Sequence, residues 1–98
     1  MKTLNKLKTK IQGFLNGKIP AEKFGFYFPD LVFDHEEELY AGDRKLFNVI
    51  DDLRWTCALY NPDMPEGNKD YVSLEKMRQV AVYTLEQLTH AAASKLAA

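Results

Sequence analysis

The chain predicts an all-α fold, a small antiparallel four-helix bundle, and three observations carry that expectation. Apolar residues recur at helical spacing in four separate stretches, which puts them on one stripe of each helix. No stretch alternates apolar and polar residues as a half-buried strand does, and no Asn-Gly turn joins two such runs. Short connections between the helical stretches favour antiparallel neighbours.

In the first stretch Leu4, Leu7, Ile11, Phe14 and Leu15 form the stripe, with lysines opposite, and Asn16-Gly17 stops it because both residues tolerate a left-handed backbone. Pro20 occupies an expected first helical position, with Ala21 and Glu22 in the first turn. Phe24, Phe28 and Leu31 fit one face of this second helix, while Phe26, Tyr27 and Phe33 fall off it. Pro29 lacks an N–H and clashes with the preceding turn, so the helix is expected to kink or end there. An irregular segment or a second short helix follows over residues 30–40.

Asp43 is the expected N-cap of a third long helix over residues 43–60, its stripe running through Leu46, Phe47, Ile50, Leu53, Cys57 and Tyr60. NPDMPEGNKD, with two prolines and a glycine and no apolar period, reads as a loop. Ser73 caps the last helix, with Val72 and Met77 placed as a hydrophobic staple. Its core stripe is Leu74, Met77, Val80 with Ala81, Thr84 with Leu85, and Leu88, and it is expected to fade through the terminal alanines. At 98 residues the chain can bury one core. Residues 1–94 therefore read as one helical domain, and Lys95 to Ala98 resemble a vector-derived tail and are set aside.

Composition narrows the function. At 46% hydrophobic and 28% charged residues the chain is globular rather than disordered. Charged residues interrupt every apolar run before a membrane span is reached, and no apolar segment follows the basic start as a secretory signal requires. A cytoplasmic protein is expected. The one cysteine, Cys57, forms no intramolecular disulfide, and with His35 and His90 alone it offers no metal-ligand spacing. Cys57 reads as a small core residue, His35 as a surface histidine, and no cofactor or metal is expected. No Gly-rich phosphate loop and no nucleophile-histidine pairing marks an enzyme.

The charge is unevenly distributed. Residues 1–23 hold six lysines against Glu22, a net of +5, while residues 30–52 hold eight acids against Arg44 and Lys45, a net of −6. The acidic half also carries the aromatics. The lysines at helical spacing read as a solvated outer face, and the acidic half would repel a nucleic acid. Adjacent acids without a pocket are solvated rather than catalytic. They suit instead a surface for a basic protein partner, comprising Tyr27, Asp30, Asp34, Glu36, Glu37, Glu38, Asp51, Asp52, Trp55 and Asp63. Trp55 either anchors that interface or packs against a neighbouring helix.

The order of three runs, KIQGFLNGKIPAEKFGFYF, LFNVIDDLRWTCALYNPD and DYVSLEKMRQVAVYTLEQL, around an acidic segment and a Pro/Gly loop, resembles the colicin-D-type immunity proteins of bacteria and the related contact-dependent growth inhibition immunity proteins. The resemblance covers roughly residues 7–88 and rests on helix junctions and apolar positions. It implies a small helical protein that binds the C-terminal nuclease domain of a toxin, commonly a tRNA-cleaving ribonuclease, and covers its active site with acidic residues. No membrane and no direct nucleic-acid partner is expected, and the free chain reads as a monomer. The alternative is a helical adaptor or homodimeric regulator that binds a basic protein.

Overall fold

The computed structural model describes residues 2–61, 63 and 71–97. Five helices follow in order: α1 (Lys2–Leu15), α2 (Ala21–Asp34), α3 (Glu36–Ala41), α4 (Arg44–Leu59) and α5 (Leu74–Ala97). Among the described residues there is no strand, only an isolated parallel bridge between Tyr60 and Val72. The fold is all-α.

Local chemistry sets each boundary. Gly17, at φ 85°, takes the left-handed turn that ends α1, and its N–H donates to the Phe14 carbonyl at 3.2 Å. Pro20 lies one position before the expected one. It is extended at ψ 148° and caps α2 from outside, its carbonyl accepting from the Phe24 N–H at 2.9 Å. Asp43 caps α4 as its side chain accepts from the Leu46 N–H at 3.1 Å, and Ser73 does the same for the Lys76 N–H at 3.2 Å. Val72 packs on the core that fully buries Met77, as a staple requires.

Two boundaries depart from expectation. Pro29 does not end α2, which runs on to Asp34. The turns on both sides of it are anchored by the buried Phe24, Phe28 and Val32, and this burial outweighs the lost backbone hydrogen bond. Nor does α5 fade at the alanines. Alanine is the best helix former, and the helix reaches Ala97. Of the expected loop, Asn61 and Asp63 are described, with the Asp63 N–H donating to the Asn61 side chain at 2.9 Å. Pro62 and residues 64–70 lie outside the described residues.

The long helices close a ring of contacts: α1 on α2, α2 on α4, α4 on α5 and α5 on α1, with α3 lying on α4. Within the ring Leu7, Ile11, Phe24, Phe28, Ile50, Leu53, Met77 and Leu88 are fully buried. Phe14 and Phe24 stack with ring centroids 4.4 Å apart, and Phe24 continues to Phe28 at 5.3 Å. This aromatic column joins α1 to α2. Each fully buried side chain of this size contributes about 1.5–3 kcal/mol. Leu74, expected on the α5 stripe, is instead 40% exposed in the first turn, ahead of the core contacts. Thr84, buried in the stripe, satisfies its hydroxyl by donating to the Val80 carbonyl at 2.8 Å.

Candidate functional site

On α2 the buried stripe Phe24, Phe28 and Val32 leaves two flanks. Successive residues turn by about 100° around a helix, so Phe26, Pro29, Asp30 and Phe33 fall on one flank and Tyr27 on the other. Glu22, Gly25, Phe26, Pro29 and Asp30 face Cys57, Ala58 and Tyr60 of the α4 end across a groove of about 420 Å³. Phe26 is 74% exposed and Phe33 is 71% exposed. Two phenylalanines so open, two turns apart on one flank, form an apolar edge beside the groove.

Beyond Phe33 the surface turns the corner from α2 into α3, where Asp34, His35, Glu36, Glu37 and Glu38 surround a second concavity. Here the acids divide into two kinds. Glu36 accepts from the Arg54 guanidinium at 3.2 Å, and the same guanidinium pairs with Asp51. Glu38 accepts from the Thr3 hydroxyl at 2.9 Å and lies 3.5 Å from His35 Nδ1. Glu36 thus ties α3 to α4 and Glu38 ties α3 to the start of α1, while the Asp51 pair lies within α4. Asp30, Asp34 and Glu37 are exposed and make no ion pair among the described residues. They carry the outward charge.

The structure gathers most of the expected surface on the α2, α3 and α4 side. Trp55, one turn beyond Asp51, is 61% exposed and so is not packed in a helix seam. Asp63 lies past the end of α4, where with Glu22 it sets a negative field on the Tyr60 phenol; burial first, then Glu22 and Asp63, push that group's pKa up. Two residues lie elsewhere. Tyr27 faces α1, its ring 5.4 Å from the Lys10 ammonium. Asp52 faces α5 in a groove shared with Lys76 and Tyr83. The basic half is thus not wholly separate from the acidic one.

Sequence reasoning did not assign Phe26, Phe33, Glu22, Gly25 or Pro29 to a surface. A signal was present: Phe26 and Phe33 are seven residues apart and off the buried stripe, the spacing of two turns of one helix. The groove's sulfur is inert. Cys57 is 4% exposed, and burial pushes its thiol up from 9.0 to about 12, which keeps it protonated and non-nucleophilic. Among the described residues no group of His, Cys, Asp and Glu is arranged to hold a metal ion, and no helix is long and apolar enough to cross a membrane.

Comparison with protein-family models, curated proteins and solved structures finds no match for the chain. The functional reading is carried by the groove and its neighbours: apolar side chains held open to solvent, interleaved with carboxylates that have no internal partner among the described residues.

Proposed function

We propose that this protein is an immunity protein that binds and neutralises the basic C-terminal nuclease domain of a bacterial toxin, a tRNA-cleaving ribonuclease, in the cytoplasm of the cell that makes both. It acts without catalysis, by covering the RNA-binding or active-site surface of the toxin. We read its four long helices as an antiparallel four-helix bundle that serves as a rigid platform for this contact. The observation that supports the reading is the run of Phe26, Asp30 and Phe33 along one exposed flank of α2, with Asp34 and Glu37 at the corner beyond it and with Phe26 and Phe33 more than two-thirds exposed. A ribonuclease must present lysine and arginine to phosphates. An inhibitor that offers carboxylates around an apolar anchor matches that field and gains affinity from the buried centre.

The exposed aromatics also fit a second reading, a helical adaptor or regulator that pairs with itself. A two-fold pairing through this side would set Asp30 and Glu37 against an equally acidic copy, which disfavours it. The test is association with the toxin's nuclease domain, followed by stopped-flow at several salt concentrations. Asp30→Lys and Glu37→Lys should each slow association about tenfold at low salt, with the difference shrinking as salt rises. Glu86→Lys, on the exposed face of α5, should change little. Equal effects from all three would show that net charge alone is read and would remove the assigned surface.

A further inference from the structure

We infer that the groove between α2 and α4 receives one arginine side chain of the partner, with its alkyl stem along Phe26, Pro29 and Tyr60 and its guanidinium held by Glu22, Asp30 and the Gly25 carbonyl. The inference rests on the proposed function and deepens it by naming the chemistry of the anchor.

The groove combines an apolar floor with a polar rim of one sign. Gly25, Phe26, Pro29, Cys57, Ala58 and Tyr60 supply the floor, Glu22 and Asp30 the rim, within about 420 Å³. A neutral apolar side chain seated there would strip water from two carboxylates and give them nothing in return. A long cationic side chain satisfies both parts, because its methylenes cover the apolar surface while its head stays at the charged rim. No lysine or arginine among the described residues lines the groove.

A third acceptor distinguishes arginine from lysine. In an α-helix the N–H of residue 29 would donate to the carbonyl of residue 25. Pro29 has no N–H, so the Gly25 carbonyl is short of its usual donor, and both residues line the groove. A further acceptor beside two carboxylates matches the five donors and planar fork of a guanidinium better than the compact ammonium. The Phe26 ring, 74% exposed, offers a face on which that plane can stack. A Cβ at position 25 would lie 3.9 Å from the Tyr60 ring, in space the arginine stem would use, so glycine keeps the floor low.

The experiment uses the full chain, isotopically labelled, titrated with N-acetyl-arginine methylamide and followed by amide chemical shifts. The expected result is saturable shifts confined to Gly25, Phe26, Asp30, Ala58 and Tyr60, and at least about tenfold weaker binding of the citrulline counterpart, which keeps the shape and loses the charge. Glu22→Gln with Asp30→Asn should abolish saturation. Pro29→Ala restores a donor to the Gly25 carbonyl and should weaken the probe severalfold while the circular dichroism and melting temperature are kept or raised. Equal shifts from citrulline, or arginine shifts spread over Glu37, Asp52 and Glu86, would overturn the proposal. So would shifts at the groove that depend on protein concentration without the probe, which would make a second copy the occupant. Failure of the groove and failure of the proposed function separate cleanly. A protein that silences a nuclease while arginine leaves the groove unshifted overturns the groove alone, and one that takes arginine there while nucleases stay active supports the groove and overturns the proposed function.

Discussion

Arg54 and Cys57, one turn apart on α4, show how burial decides what a polar side chain can do. Arg54 pairs with both Asp51 and Glu36, so one positive charge within the fold is shared between two of the acids that make this half of the chain negative. Replacing it by methionine keeps the stem but removes the ion-pair partner of the Asp51 carboxylate, whose Oδ1 is shielded from solvent and makes no other hydrogen bond, at a cost of about 1–3 kcal/mol. Urea denaturation of Arg54→Met against the parent checks this, and an unchanged midpoint would mean that the pair contributes no net stability. Cys57 behaves oppositely, since the thiol is stabilised in its neutral form. Its folded pKa of about 12 lies above the ordinary 9.0, so the unfolded chain loses this proton first as pH rises. Below about pH 9 the group contributes no pH dependence; between pH 9 and 12 stability falls, by up to ~1.4 kcal/mol per pH unit. Iodoacetamide at pH 8 should therefore label Cys57 in urea and leave it unlabelled in the native protein, and rapid native labelling would contradict its burial.

The helices themselves show which signals in a sequence are local. Asn16-Gly17, Asp43 and Ser73 mark helix ends because the chemistry of a cap lies within three residues, and all three act at or next to the observed boundaries. Gly17→Ala should destabilise the protein by about 1–2 kcal/mol, since φ 85° is strained for any residue with a Cβ. Thermal denaturation measures this, and a neutral substitution would mean that the turn can relax. Whether a helix ends at Pro29 or continues past it is settled at a distance. The burial of Phe28 and Val32 carries α2 past it, and nothing within a few residues announces that packing. The same limit applies to the ion pairs. Glu36 and Arg54 are 18 residues apart, and Thr3 and Glu38 are 35 apart, so their coupling exists only once α3 has folded onto α4 and α1. The groove was illegible for that reason, although the open flank of Phe26 and Phe33 was written in their spacing.

At the scale of the molecule, the ring of helices packs the lysine-rich first helix and the acidic segment of a chain of net charge −1 into one body. The aromatic column of Phe14, Phe24 and Phe28 holds α1 against α2. Lys10 of α1 is thus held beside Tyr27, and no lysine of α1 lines the groove. Such a body meets a basic partner in a preferred orientation, and encounter is faster than for a neutral surface of the same shape. Under the proposed function the exposed phenylalanines would set how long the partner stays. The claim that this surface neutralises a nuclease is tested most directly by recovering the tagged protein from a lysate of its native host at moderate salt, identifying what is bound, and assaying tRNA cleavage before and after the two are separated. The account predicts a basic nuclease domain, silent in the complex and active once released. Recovery of a bound protein with no nuclease activity in either state, or of this chain alone as a stable dimer, would contradict it.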